Sequence, residues 1–394
     1  MPRTAERHLR QMQAQADDFI AIRHRIHQYP ELAYEEYQTS ELVAEYLQTW
    51  GYRVERGLGV TGVVAQLRRG SGGKRLGLRA DMDALPITEA TGLPYASRRD
   101  GVMHACGHDG HTAMLLAAAR HLAHHGEFSG TLNLIFQPAE EGGGGARRMM
   151  EEGLFDRFPC DAVFAMHNGP GVPQGRLVFR EGAMMASSDY ATITLHGVGG
   201  HGAEPHLTVD PIVAASSIVM ALQTIVSRNA NPMEMALITV GAIHAGHANN
   251  VIPQTAVLEL TIRALTRETR ELLERRLKAL VAAQAESYGV RAEIDFRRGY
   301  PVLVNTAAET EFAREVGIGL VGAEQVVRQG PAISASEDFA FMLEKVPGCY
   351  LIIGNGDGAG SCAVHNPGYD FNDRNIAIGS AYWVHLAERF LAAP

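Results

Sequence analysis

The spacing of apolar positions changes character along the chain. Near the start, Phe19, Ile22 and Ile26, then Leu42, Val43, Tyr46 and Leu47, recur at helical spacing and predict helices through residues 5–50. Short apolar runs then take over: VTGVVAQL at 60–67, RLGLRADM at 75–82, TLNLIFQ at 131–137, DAVFAMH at 161–167 and CYLIIGN at 349–355. Runs that are continuously apolar predict strands buried on both faces. The Ala- and Leu-rich HTAMLLAAARHLAHH at 111–125 predicts a helix between two of them, with Asp109 or Thr112 as its cap. Strands alternating with helices predict an α/β sheet, largely parallel.

A second pattern fills residues 186–300. ATITLHGV, a helix near 209–229, MALITVGAI, AVLELTIRAL, a helix near 267–289 and VRAEIDFRR read as a βαββαβ block of domain size. CYLIIGN then returns to the first pattern, so the block is an insertion and residues 1–185 plus 301–394 form the domain it interrupts. A chain of 394 residues exceeds one ordinary core, which agrees with two domains.

Composition narrows the partners. A net charge of -9 with no basic block argues against nucleic acid and anionic membrane surfaces. The N-terminus carries charges every few residues, so neither a signal peptide nor a membrane span is expected, and the expected location is the cytoplasm. Four cysteines, Cys106, Cys160, Cys349 and Cys362, are too sparse for a disulfide framework.

Ligands of open α/β sheets bind beyond the carboxyl ends of the strands. There the chain places Glu140 and Glu141 after TLNLIFQ, His167 after DAVFAM and His365 some ten residues after CYLIIGN, while Cys106 and His108 sit in the loop before the long helix. Thiolate, imidazole and carboxylate are the ligand set of zinc and its neighbours. Cys106, His108, Glu141, His167 and His365 outnumber the ligands of one ion and point to two ions sharing a bridging ligand, hence to a hydrolase. Each residue alone has a plainer explanation: a hydrogen-bonding histidine, a small buried thiol, a solvated carboxylate at a helix start. Their joint arrival at successive strand ends is what favours a metal site. Gly142 to Gly145 read as a bulk-free turn into a helix starting near Ala146. No Gly-x-Ser-x-Gly elbow and no dinucleotide fingerprint accompany these residues.

The segments HRIHQYPELAYEE, LRADMDALPITE, MHACGHDGHTAMLL, LIFQPAEEGGGGA, GVGGHGAEPH, NNVIP, SEDFAFM and VHNPGYDFND, in this order, resemble the aminoacylase/carboxypeptidase G superfamily of dinuclear metallopeptidases. Within it the likeness is to the hippurate hydrolase and auxin-conjugate amidohydrolase branch, and it runs from about residue 20 to 375. The resemblance implies a phosphorylase/hydrolase-like, metal-binding α/β domain with an inserted ferredoxin-like βαββαβ dimerisation or lid domain. It implies cleavage of N-acyl amino acids to a carboxylic acid and a free amino acid. Carried over by position, Cys106, His108, Glu141, His167 and His365 match metal ligands, with Cys106 bridging, and Glu140 matches the general base. His201 matches a histidine that reaches across a dimer to hold the oxyanion, and Asn250 matches a substrate contact. Arg263, at a strand end, is a candidate for the substrate carboxylate or for a surface ion pair. The chain departs from sister enzymes at Asp81-Met82-Asp83, where many have a metal-binding His-x-Asp, so neither aspartate is assigned as a ligand. The expected cofactors are two divalent ions, zinc first, with manganese, cobalt or nickel as alternatives. The expected assembly is a homodimer through the insertion, with a tetramer as alternative. The competing readings are a dipeptidase or aminopeptidase of the same superfamily and a non-catalytic, metal-containing binding protein for acyl amino acids.

Overall fold

Residues 2–358 and 361–392 are described by a computed structural model. They form two units, each with its own core: Met1–Gly182, Val304–Pro331 and Asp338–Pro394 make the first, and Ala183–Leu303 with Ala332–Glu337 the second.

The first unit is built on eight strands in the order Arg53–Leu58, Gly62–Arg69, Gly130–Gln137, Arg75–Asp81, Ala162–Pro170, Gly348–Gly356, Leu177–Val178 and Val326–Val327. Gly130–Gln137, Arg75–Asp81, Ala162–Pro170 and Gly348–Gly356 run parallel to one another. One flank is antiparallel, because Arg53–Leu58 and Gly62–Arg69 are joined by a tight turn that leaves no room for a crossover; on the other, Leu177–Val178 is antiparallel to Gly348–Gly356 and parallel to Val326–Val327. The sheet is therefore mixed, with its long parallel strands in the middle. One face presents Leu76, Leu78, Phe136, Phe164 and Leu351 to the core. Val163, Ala165, Ile135 and Tyr350, which alternate with these, are also buried, so both faces are covered and the runs read as continuous. Each such side chain contributes about 1.5–3 kcal/mol by leaving water.

The helix His108–His125 lies on this sheet and buries Met114, Leu115, Ala118 and Leu122. Neither expected cap is used. Gly107, at φ 90, turns the chain into the helix without a side-chain cap. Asp109 is drawn away by Arg23 and His27, each 2.9 Å from its Oδ2, and the Thr112 hydroxyl donates to the Asp81 carbonyl at 2.9 Å. A buried ion pair outweighs the roughly 1 kcal/mol of a cap. The helical N-terminal stretch is three helices, Pro2–Ala14, Ala16–Gln28 and Tyr37–Thr49.

The second unit is a four-stranded antiparallel sheet, ordered Ala236–Ala245, Thr255–Ala264, Ser187–His196 and Arg291–Arg298. Its inward positions Ala191, Ile193, Leu195, Leu258 and Leu260 pack against Ile218, Leu222 and Leu277 of the helices Pro211–Arg228 and Arg267–Ser287. Asp210 caps the first of these helices through Ile212 N–H at 2.8 Å, and Thr266 the second through Thr269 N–H at 3.1 Å. Pro211–Arg228 is long and apolar enough to cross a membrane by length and composition. Its buried positions Ala214, Ile218, Leu222 and Ile225 nevertheless form the single stripe of a helix lying on a sheet. Strand and helix order here is the ferredoxin-like βαββαβ arrangement.

Candidate metal centre

The four parallel strands end on one rim, and the loops that leave them carry the polar residues. Cys106 Sγ, one His108 nitrogen and one Glu141 oxygen all lie within 4.8 Å of one another. His167 Nε2 is 3.4 Å from Cys106 Sγ, and His365 Nε2 is 3.1 Å from Glu141 Oε1. The five sequence-derived candidates are thus linked by ligand atoms into one group. His365 reaches it through a backbone bond, its N–H donating to the Ala105 carbonyl at 2.7 Å, and through a left-handed φ of 65.

Neighbouring groups set which imidazole nitrogen carries the lone pair. His108 Nδ1 donates to Asp83 Oδ1 at 3.2 Å, which leaves Nε2 as the lone-pair nitrogen, fully buried and without a hydrogen-bond partner among the described residues. His167 Nδ1 donates to the Asn168 carbonyl at 2.7 Å, so its Nε2 faces Cys106 with a free lone pair. His111 lies beside them but has both nitrogens engaged: Nδ1 donates to Asp81 Oδ1 at 2.6 Å and Nε2 accepts the Asn168 N–H at 2.9 Å. A second nearby cluster, Asp81, His108, His111 and His167, shares His108 and His167 with the first, but both nitrogens of its His111 are already engaged. Buried lone pairs aimed at a thiol and a carboxylate, held by second-layer bonds from Asp83 and Asn168, fit divalent cations of the zinc class.

The charges add a competitor for that lone pair, since at neutral pH a proton takes Nε2 of His108 unless a metal ion displaces it. Burial alone would lower His108, but Asp81, Asp83 and Glu141 more than offset it and raise it to about 10. Burial, followed by Glu141, Glu140 and Asp81, pushes the Cys106 thiol well up. Burial would also raise Glu141, yet the His365 hydrogen bond and the His108 charge hold it below the usual carboxylate range. Burial, with His111 adding to it, keeps His167 well down and so neutral. So much clustered negative charge demands a cation, whether proton or metal.

Glu140 and Glu141 are adjacent but differently held. Ala139 adopts a left-handed φ of 53, and its N–H donates to the buried Glu36 at 2.8 Å, which turns the chain sharply at the strand end. Glu141 then points into the ligand group and is fixed by its own N–H donating to Asp83 Oδ2 at 2.9 Å. Glu140 Oε1 accepts the Asp338 N–H at 3.4 Å. Asp338 in turn accepts from Arg79 at 3.1 Å, Gln137 at 2.8 Å and Ala146 N–H at 2.9 Å, a buried hub beneath the two glutamates. The glycines that follow are dictated by space: a Cβ on Gly145 would sit 1.7 Å from the Pro138 carbonyl oxygen. The helix begins at that residue, Gly145–Glu151.

Several of these partners escaped the sequence reading. Asp338 lies within SEDFAFM with no sequence signal of a role, and His111, Asn168 and Tyr369 take theirs only through register; Tyr369 OH donates to Asn168 Oδ1 at 2.7 Å. The i, i+3 spacing of His108 and His111 on one helix face was the available signal for His111. Asp81 and Asp83, left unassigned, orient His111 and His108 respectively.

In the second unit, His201 lies in a two-stranded ribbon, Gly200–His201 against Val251–Ile252, and Gly202 N–H donates to the Asn250 carbonyl at 2.8 Å. His201 and Asn250 are thus brought together. The exposed His201 accepts Ala203 N–H on Nδ1 at 3.0 Å, which leaves Nε2–H as an outward donor. Arg263 sits elsewhere, on Thr255–Ala264, and donates to Ser336 Oγ at 3.0 Å.

A family model described as Peptidase family M20/M25/M40 matches residues 77–389. The chain is 44% identical over 374 residues to a hippurate hydrolase of Campylobacter jejuni, covering 95% of this chain and 97% of that one. It is 40% identical over 373 residues to an N-acetyl-L-cysteine deacetylase of Bacillus subtilis, covering 94% and 88%. Among solved structures, a Bacillus subtilis protein described as a dinuclear metal binding peptidase from the M20 family superposes with a TM-score of 0.84 at 32% identity, covering 96% and 99%.

Proposed function

The chain belongs to peptidase family M20/M25/M40, and on that footing we propose that it is a metal-dependent amidohydrolase that cleaves N-acyl amino acids. Support comes first from the convergence of Cys106, His108, Glu141, His167 and His365, with the orphaned lone pair of His108 at its centre. The similar proteins named for hippurate and N-acetyl-L-cysteine share an acylated amino acid as substrate class. The five residues would hold two divalent ions; zinc suits the thiolate and imidazoles best, ahead of manganese, cobalt or nickel. When bound, such ions polarise the scissile carbonyl and acidify water.

Glu140 takes a proton from the attacking water as the new C–O bond forms, and returns one to the amine nitrogen as the C–N bond breaks. Carboxylic acid and free amino acid result, with atoms balanced. His201 supplies its Nε2–H to the tetrahedral oxyanion of the partner subunit's reaction, and Asn250 and Arg263 contact the substrate. The assembly is a homodimer through the second unit. Ala236–Ala245 is an edge strand with Ile243 exposed, and Met220 of the adjoining helix is 72% exposed, an apolar surface suited to a second copy.

The deciding experiment is Glu140→Gln. Turnover of hippurate and N-acetyl amino acids should fall about 10²–10⁴-fold with metal content unchanged. Normal turnover by this variant, or full activity after exhaustive chelation, would overturn the reading. Comparing dipeptides with their N-acetyl forms separates an amidohydrolase from a dipeptidase.

A further inference from the structure

A second group of metal-type ligands lies in the first unit, apart from the catalytic rim. His8 of the helix Pro2–Ala14, His121 of His108–His125 and Glu388 of Asn375–Phe390 each offer one ligand atom, and these all lie within 4.8 Å of one another. We propose that His8, His121 and Glu388 bind a zinc-class divalent cation that staples these three helices together.

The side chains are built into the core rather than scattered on a surface. His8 is 0% exposed, His121 5% and Glu388 9%. Both ring nitrogens of His8 lack a hydrogen-bond partner among the described residues, although Nε2 lies 3.0 Å from Glu388 Oε2. Nε2 is thus ion-paired to the carboxylate off the hydrogen-bond axis, while Nδ1 has no partner among the described residues. A fully buried imidazole with one nitrogen unpartnered and the other facing only a carboxylate is costly unless something else occupies its lone pair. Glu388 is oriented for that role, since its Oε1 is fixed by the Glu127 N–H at 2.9 Å, leaving Oε2 to face His8. This is the outer-layer bond that ligating carboxylates usually have.

More imidazoles surround the group. The ring of His385 is 5.6 Å from that of His8, and its Nδ1 is also without a partner among the described residues. His125, one turn on from His121, has its ring 5.4 Å away. Two imidazoles and a carboxylate suit zinc, copper or nickel rather than calcium or magnesium, which take oxygen ligands. A surface cavity of about 540 Å³ is lined by Thr4, Glu127, Gly319, His385 and Glu388, and so reaches the carboxylate of the group. The site is distinct from the catalytic one although one helix carries parts of both. His108 and His121 are separated by roughly 20 Å at 1.5 Å per residue.

The test counts zinc on the full-length chain, equilibrated with ZnCl2 at a buffered micromolar free concentration and freed of excess by gel filtration. The expected result is one zinc fewer per chain in His121→Gln and Glu388→Gln than in the unaltered protein, with hydrolysis of N-acetyl amino acids unchanged. Equal zinc content in all three would overturn the proposal. Should the variants misfold, crystals of the unaltered chain soaked in ZnCl2 decide it. An anomalous peak about 2.0–2.2 Å from His8, His121 and Glu388 atoms is expected, and its absence with the catalytic ions present refutes the site. Because the readouts are zinc count and position, failure here would leave the amidohydrolase reading standing.

Discussion

Replacing Asp83 by asparagine preserves shape and changes only the pattern of donors and acceptors, which makes it a sharp probe of the metal centre. Asp83 is 1% exposed and spends both oxygens: Oδ1 accepts from His108 Nδ1 at 3.2 Å and Oδ2 accepts from Glu141 N–H at 2.9 Å. Asparagine has one oxygen. If it keeps the Glu141 N–H, its amide N–H groups face His108 Nδ1 and drive the imidazole proton to Nε2, the nitrogen whose lone pair is aimed at the cation. The loss is that of a charge-assisted hydrogen bond, about 1.5–3 kcal/mol, or roughly 10–100-fold in metal affinity. Asp83→Ala loses both bonds but lets His108 choose its tautomer, so Asp83→Asn should be at least as damaging as Asp83→Ala. The measurement is zinc affinity by competition with a chromophoric chelator at fixed pH. Binding by Asp83→Asn within twofold of the unaltered protein would refute the tautomer argument.

Other outcomes follow from the same geometry. Gly107→Ala must adopt φ 90 and would put a Cβ 2.3 Å from Asn168 Nδ2 and 2.5 Å from Tyr369 OH; it should cost at least about 1–2 kcal/mol, and an unchanged urea midpoint would contradict this. Metal uptake should release the Cys106 proton, since burial and the nearby carboxylates raise that thiol well above its usual range. Apparent affinity should therefore rise with pH, and calorimetric heats that do not vary with the buffer's ionisation enthalpy would refute it. Burial opposes protonation of His27, but hydrogen bonds to Asp109 and Glu89 win and raise it to about 9. Its stabilisation of about 3 kcal/mol is thus full below about 6.5 and lost as pH rises towards 9. Denaturant melts of His27→Gln should lack that slope, and matching pH profiles would exclude the mechanism.

The strands of the parallel centre were legible because burial on both faces makes them continuously apolar, and the second unit because its sheet buries one face and alternates. Arg53–Leu58 was not, since an edge strand with the burial of RVERGL carries little apolar signal. The five metal-type residues and Glu140 could be read from strand ends and motif order, and the family match agrees with the resemblance those motifs carry. Asp338 could not be read that way, because nothing in SEDFAFM announces that its N–H will meet Glu140 across 198 residues. The Asp109 cap failed for a similar reason: Arg23 claims that carboxylate from 86 residues away, and local preference yields to a buried partner.

The order of strands also constrains how the molecule is made. Gly348–Gly356 lies between Ala162–Pro170 and Leu177–Val178, so the sheet stays split until the chain has been synthesised to about residue 356 of 394. At 5–20 residues per second, the stretch from residue 170 to 348 takes on the order of ten to forty seconds to emerge. Through that interval the apolar edge of Ala162–Pro170 awaits its neighbour, while the ferredoxin-like unit gains its last strand at Arg298, before Gly348–Gly356 is made. His365 emerges later still. The proposed ligand group therefore cannot be complete until residue 365 has been synthesised, and hydrolytic capability is withheld until then.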